Sequence, residues 1–467
     1  MRYFLALLAC ASVCASGRAG ALEWRCGAVE VDITPRSPIW LAGYAARTRP
    51  SEGVLLPIHA KAVALAWGDG EPFVIVSAEL CELPGFFSES LASRLKDRFG
   101  LKRSRLLLAV THTHSSPAVT SRLLPVTYPL QEDQRNRIAQ YSRFLCDSFF
   151  KAAQKALLNM QPARVTLHRA RAYFARNRRH VNPDDPVDTD VPVFKITLRG
   201  PPGSRRREVI LFSYACHNTT LMNYLVSGDY AGFAQAFIQE RYPCCTAVFL
   251  SGCAGDINPY PRRSIELCRM HGLALADSVS RALRRPGLEV RGPLRSHLTW
   301  AALPFERIPT WKELLEEQRS KNPYTARRAR RLLKDIQSGM GPEGAYPVPV
   351  QALVFGERDP VLLVALGGEA VVDYALKIKS RFGERRTVVV AYSNAVPGYI
   401  PTERILKEGG YEGGGAQLYY CFPSRWKGGV EGLILNAVYR SLRAAGLKAS
   451  QGRSNRRHAR ATDRRGL

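Results

Sequence analysis

Seven short runs of nearly unbroken apolar, largely β-branched residues limit the folds open to this chain: 73–76, 106–110, 193–196, 209–212, 247–250, 361–366 and 388–391. A strand covered on one face alternates apolar with polar residues, so runs apolar at every position predict strands buried on both faces. Helical patterns fall between them at 88–99, 138–158, 233–241 and 265–283. Strands and helices in alternation predict an α/β layered domain, a mixed sheet with helices on its faces. A polar, basic helical insertion is expected at 309–340, stopped by Gly341 and Pro342. With 46% hydrophobic residues over 467 positions, the chain can fill a large core.

Polar side chains suited to metals cluster just past these runs. Residues 106–110 lead into Thr111, His112, Thr113 and His114; 209–212 lead to His217; 247–250 lead into Ser251 through Asn258. The pattern repeats where 361–366 run into Gly367, Gly368 and Glu369, and 388–391 into Tyr392, Ser393, Asn394 and on to Tyr399. Ligands in open α/β sheets bind beyond the carboxyl ends of the strands, so these five turns are expected to converge on one active site.

His112 and His114, one residue apart, would point to the same side of an extended segment, as two ligands or as one ligand with a hydrogen-bonding partner. A pair that only satisfies backbone carbonyls is the structural alternative. Glu369, past an apolar strand and two glycines, needs a cation, either a metal or one of the many arginines. Two histidines and a carboxylate form a nitrogen and oxygen donor set that suits Zn²⁺ with an open position, and cysteine ligation is not expected. Zinc so held lowers the pKa of water toward about 7 and polarises a carbonyl, as hydrolysis of an unactivated amide requires.

The N-terminus reads Met1, Arg2, an apolar stretch from Tyr3 to Val13, then Ala19, Gly20 and Ala21, the layout of a secretory signal over 1–21. Export to a secreted or periplasmic location is therefore expected, with lipidation at Cys10 as the second choice. No other apolar stretch approaches the roughly 20 residues needed to span a bilayer. Of eleven cysteines, Cys10 and Cys14 fall in this leader, leaving an odd nine with no CxxC pair. Their connectivity does not follow from sequence.

A formal charge of +27 attracts anionic surfaces. It concentrates at Arg327, Arg328, Arg330, Arg331 and Lys334, and in a tail carrying Arg453, Arg456, Arg457, Arg460, Arg464 and Arg465. No nucleic acid partner is expected, since the tail lacks interleaved aromatics and no nucleic-acid motif occurs. An exported protein meets an anionic membrane surface or envelope polymer first. A solvated basic face is the plain alternative.

Ordered motifs run along the chain: VDITP from Val31 to Pro35, AGY from Ala42, THTHSSP from Thr111, ARNRR from Ala175, CHNTTLMN from Cys216, SGDYAG from Ser227 and GCAGDINP from Gly252. They continue with GGE from Gly367, GYIPT from Gly398 and YEGG from Tyr411. In this order they resemble the neutral/alkaline non-lysosomal ceramidase family, up to about Leu442. The resemblance implies a zinc site made by His112, His217, Glu369 and Tyr399. It also implies that His114, Arg178 and Tyr411 bind the scissile amide and the ceramide head.

There are two departures from that family. Its motif Gly-Asp-x-Ser-Pro-Asn becomes Gly255, Asp256, Ile257, Asn258, Pro259, Tyr260, and an amide side chain cannot replace a serine nucleophile. The immunoglobulin-like domain that follows the catalytic one in these ceramidases has no counterpart in the tail of about 25 residues. The expected organisation is a signal over 1–21, a catalytic domain over 22–442 and a disordered basic tail over 443–467. The expected reaction is hydrolysis of ceramide or a related N-acyl lipid by metal-activated water, with Asn258 orienting that water or donating to the oxyanion. A degenerate lipid- or envelope-binding protein and a hydrolase of a different envelope amide are the alternatives. A phosphate or sulfate ester hydrolase would need a second metal, for which Glu79 is the nearby carboxylate.

Overall fold

The computed structural model describes residues 23–179, 184–200 and 207–448; the expected leader, Cys10 and the tail beyond 448 lie outside the described residues. Two sheets form. The larger contains β1 (Trp24–Asp32), β2 (His59–Trp67), β3 (Phe73–Ala78), β4 (Leu106–Val110), β5 (Gln161–Arg171), β6 (Asp190–Leu198), β7 (Arg207–Tyr214) and β8 (Cys245–Ser251). Their spatial order is β8-β7-β6-β5-β1-β2-β3-β4, with β3/β4 and β7/β8 parallel and the other neighbours antiparallel. The smaller has β9 (Leu294–Pro304), β10 (Ala345–Phe355), β11 (Val361–Leu366) and β12 (Thr387–Val390) in that order, with only β11/β12 parallel.

The expected α/β layering with a mixed sheet is therefore present, but the apolar runs are divided between two sheets that share an interior. Phe73, Ile75, Leu107 and Ala109 of the larger sheet pack in one cluster with Leu363, Ala365, Val388 and Val390 of the smaller. The alternate residues Val74, Val76, Leu106, Leu108 and Val110 belong to the other cluster, together with helical side chains. Strands β3, β4, β11 and β12 are consequently buried at every position. The larger sheet is also curled. Ser77 Oγ of β3 donates to Phe249 O of β8 at 2.5 Å and Lys61 Nζ of β2 to Ala247 O at 2.9 Å, although the sheet order separates these strands widely.

Helices cover the outside. Helices α1 (Gly85–Phe99), α2 (Glu132–Leu158), α3 (Asp229–Arg241) and α4 (Ile265–Leu283) flank the larger sheet, and the 309–340 insertion forms α5 (Trp311–Glu317) and α6 (Pro323–Gln337). Two further helices, α7 (Val372–Phe382) and α8 (Val430–Ala444), lie against the smaller sheet. Burial continues past the expected Leu442 boundary, through Ala445 and Leu447. All nine described cysteines are free thiols.

Three of the four α6 arginines are less solvated than a basic face would be, while Arg330 and Lys334 are exposed. Arg327 Nη1 donates to Val126 O and Thr127 O at 3.0 and 3.1 Å, Arg328 reaches Phe422 O and Glu317, and Arg331 Nε meets Asp335 Oδ1 at 2.8 Å. The reason is local: the short helical turn Leu124–Thr127 ends with carbonyls that no helical N–H reaches, and Arg327 satisfies two of them.

Buried charge fixes α7 to the larger sheet. Lys379 Nζ lies 2.7 Å from Asp188 Oδ2 and 2.8 Å from Asp190 Oδ2, all three residues being buried. Removing one partner of such a cluster strands the other charges in low dielectric. Lys379→Met is expected to lower unfolding free energy in chemical denaturation by about 3–5 kcal/mol; a loss within experimental error would show that Arg169, which also pairs with Asp190, neutralises the site alone.

Candidate metal centre

Strand ends are locked together before any site side chain is placed. Val110 N donates to Tyr392 O at 3.1 Å, Ala391 N to Ser251 O at 2.9 Å and Ser251 Oγ to Thr111 O at 2.7 Å. The exits of β4, β8 and β12 thus share one knot of backbone bonds. His217, after β7, joins through its N–H to Ile257 O at 3.0 Å. Glu369 lies in a two-residue strand, Glu369–Ala370, paired in parallel with Tyr399–Ile400.

Three of the five turns, those after β4, β7 and β11, bring three donor atoms into contact. Glu369 Oε2 stands 3.0 Å from His112 Nε2 and 3.1 Å from His217 Nε2. His112 Nδ1 faces Cys81 O at 2.8 Å, and His217 Nδ1 faces the carbonyls of Ala254 and Ile257. A carbonyl can only accept, so each Nδ1 carries a proton, and each Nε2 either shares a proton with the carboxylate or presents a lone pair to a cation between them. Tetrahedral zinc with Zn–N near 2.0–2.1 Å sets its donors roughly 3.3 Å apart, so the donor chemistry and spacing fit that ion.

The bare side chains pair by charge: burial would lower His112, but Glu369 and Cys81 hold it well above its ordinary value. Burial alone would raise the Glu369 carboxyl, but His112 and His217 hold it well below the usual carboxylate range. Burial, Arg178 and His112 push His217 down to about 4. Burial and the two neighbouring imidazoles push His114 well below its ordinary value, leaving it neutral.

His112 and His114 do meet, at 3.2 Å between their Nε2 atoms, but not by strand alternation. His112 adopts a left-handed φ of +62°, and Thr113 bridges to Asn218, so a turn rather than an extended segment pairs the rings. Cys81 Sγ lies near His112 on the Nδ1 side, 3.9 Å away, and forms a second possible grouping with His112 and His114. Among the described residues, neither grouping includes Glu79. That carboxylate accepts from His59 N at 2.7 Å and Gln235 Nε2 at 3.1 Å, which leaves the two-metal alternative without support.

Arg178 organises the other side. Its guanidinium donates to Glu412 Oε1 at 2.7 Å, Gly255 O at 2.8 Å, Tyr399 OH at 3.0 Å and Asn258 Oδ1 at 3.4 Å. Asn258 Oδ1 also accepts from Thr219 Oγ1 at 3.3 Å, which leaves its NH₂ as the free end. Tyr399 and Tyr411 rings sit 5.3 Å apart beside that guanidinium, with Tyr411 46% exposed. A cavity of about 250 Å³ opens onto His112, His114, Glu369, Tyr399 and Tyr411, and Arg178 and Asn258 are not in its wall. The structure thus joins His112, His217 and Glu369 directly, brings Tyr399 in through Glu369 and Arg178, and sets Arg178 and Asn258 one layer back.

Three residues escaped the sequence reading. Tyr420 donates its hydroxyl to Glu369 Oε1, Glu412 neutralises Arg178 and Arg179, and Glu82 lines the cavity with burial pushing its carboxyl up to about 7. Tyr420 sits in an aromatic loop that reads as core, and Glu412 was visible only as part of a motif.

Two glycines permit the close approach. Gly368 has φ +75°, and a Cβ there would lie 2.8 Å from Gly398 O. A Cβ on Gly255 would lie 2.5 Å from Glu369 O, where Gly255 N now donates to Ala370 O at 3.0 Å. Gly255→Ala must therefore move the Glu369 strand, and is expected to destabilise the fold by about 1–3 kcal/mol and to weaken zinc binding in a metal titration. Unchanged zinc affinity would show that the Glu369 strand does not depend on this contact.

Comparison with known proteins follows the same geometry. Residues 24–259 match the family model described as neutral/alkaline non-lysosomal ceramidase, N-terminal. The fold is similar to a solved ceramidase complexed with C2, with a TM-score of 0.68 and 18% identity over 89% of this chain and 74% of that one. It is equally similar to neutral ceramidase from Pseudomonas aeruginosa, with a TM-score of 0.67 and 20% identity over 90% of this chain and 75% of that one. With the motif order, the mixed two-sheet fold and this family match in hand, the chain belongs to the neutral/alkaline non-lysosomal ceramidase family.

Proposed function

We propose that the chain is a zinc-dependent hydrolase of linear amides that cleaves the N-acyl bond of ceramide or a related N-acyl lipid. The observation that carries this reading is the meeting of His112 Nε2, His217 Nε2 and Glu369 Oε2 beside a cavity. These three, with Tyr399, would hold the ion. Zinc there supplies polarisation of the scissile carbonyl and acidifies water toward a pKa of about 7.

The chain's own residues do the rest. Asn258 cannot form an acyl intermediate, so the oxygen of water ends on the acyl carbon, the C–N bond breaks and the amine leaves with a proton, giving a fatty acid and an amine. Asn258 accepts from Arg178 and Thr219 one layer behind the cavity wall, so it would support the oxyanion indirectly, through the guanidinium that holds Tyr399 OH. Arg178 fixes Tyr399 OH, neutral His114 lies beside His112 in the cavity wall, and Tyr411 stands at its exposed side. Export and docking on an anionic membrane surface suit a lipid substrate and a +27 charge.

A catalytically inert lipid-binding protein is the second reading, favoured by Asn258 alone. Elemental analysis beside an assay on a panel of N-acyl lipids separates the two: wild type with zinc but no turnover on any member supports the binder. Glu369→Ala is expected to lose both bound zinc and turnover, and retained zinc would remove Glu369 from the ligand set. Asn258→Ala is expected to lower kcat by up to about 10²-fold with little change in KM; an unaltered kcat would exclude Asn258 from positioning the site.

A further inference from the structure

A second cavity, of about 460 Å³, shares no lining residue with the cavity at His112. Its volume falls in the range of small-molecule sites, about 300–1,000 Å³. Arg169 stands partly buried in its wall, joined to Asp190 through Nη1 at 2.5 Å and donating through Nη2 to Thr387 O at 2.9 Å. Thr387 opens β12, whereas Ala391, past the other end of that strand, is tied into the knot of strand exits at the metal centre. The two cavities therefore lie at opposite ends of β12.

Five arginines and two carboxylates line this second cavity, and both carboxylates are already engaged. Asp190 lies between Arg169 and Lys379, and Glu384 Oε1 meets Arg171 Nη2 at 3.4 Å. Arg281, Arg285 and Arg385 are exposed and have no carboxylate partner among the described residues. Arg281 and Arg285 stand in and just past the last turn of α4, where the free carbonyls of a helix end favour positive charge. The helix end does not account for Arg385, which comes from the separate turn Glu384–Arg386 after α7. Three uncompensated guanidinium groups from two segments repel one another across one cavity, and an anion among them relieves that repulsion.

We infer that this cavity binds a phosphate monoester, held by Arg281, Arg285 and Arg385. A guanidinium fork matches phosphate oxygens in pairs, and three forks suit a dianion with three terminal oxygens. A phosphodiester or a carboxylate, each with two such oxygens and a single charge, fits less well. The site stands whether or not the chain hydrolyses amides. Its phosphate is carried either by a small soluble molecule or by a lipid headgroup, and the two sources are separable by experiment.

Calorimetry on the zinc-loaded full chain compares glycerol phosphate, a monoester, with dimethyl phosphate, a diester. Glycerol phosphate is expected to bind, less tightly as salt rises, and dimethyl phosphate to bind about tenfold or more weakly. Zinc itself can take up phosphate, so two variants separate the places. The double variant Arg285→Ala, Arg385→Ala is expected to weaken glycerol phosphate binding by about tenfold or more, whereas Glu369→Ala should bind it as wild type does. Unchanged binding in the double variant overturns the site, and its loss in Glu369→Ala then puts the anion on the metal. Equal affinity for monoester and diester also overturns it. Both arginines are exposed and without partners, so their removal changes stability little. Arg385→Lys, which keeps the charge but loses the fork, should retain part of the affinity. Phosphatidylcholine vesicles carrying phosphatidate or phosphatidylglycerol test the lipid source. Arginine-dependent retention on phosphatidate vesicles, without binding of glycerol phosphate, assigns the monoester to a lipid. Equal retention on phosphatidylglycerol reports surface charge alone and overturns the monoester site, as does the lack of arginine-dependent binding to any of these probes.

Discussion

Glu369 is buried with one carboxylate oxygen against two imidazole nitrogens. A bare charge in such a place costs several kcal/mol, and most features of the surrounding structure answer that cost. Tyr420 donates to the other oxygen, the ring nitrogens on the far side of each histidine are fixed by backbone carbonyls, and the glycines at 255 and 368 let three strand ends approach closely enough for contact. A cation at the centre would complete an arrangement whose outer hydrogen bonds already orient each donor.

The two sheets explain why the donors come from such distant residues. His112 and His217 leave strands of the larger sheet, while Glu369 follows β11 of the smaller one, and Tyr399 pairs with it. The family match ends at residue 259, so Glu369, Tyr399, Tyr411 and Tyr420 all come from outside the matched stretch. The site therefore depends on the packing between sheets, and a change that loosens Gly255 against Glu369 acts on the centre without touching a donor atom.

Asn258 and Arg178 illustrate a different division. Arg178 is compensated by Glu412 and holds Tyr399, Asn258 and a loop carbonyl at once, so its place is behind the cavity wall. Groups that orient others from this distance are as sensitive to small displacements as groups that touch substrate. The family's serine position is occupied by an amide held from two sides, which directs attention to water as the attacking species.

Sequence alone determined that buried strands would alternate with helices and end in polar turns, because runs such as 106–110 and 361–366 are apolar at every position and can only be covered on both faces. It also placed His112, His217 and Glu369 just past such strands, where each had a structural use as an alternative, and the resemblance carried by the ordered motifs is what marked them as ligands. Tertiary structure decided what a local pattern cannot carry: that the strands split into two sheets, that a left-handed turn rather than strand alternation pairs His112 with His114, that part of the basic α6 face turns inward, and that Tyr420, Glu412 and Glu82 surround the site. Each of these depends on contacts between residues far apart in the chain, whose energies are set by packing and burial and leave no periodic trace in the sequence.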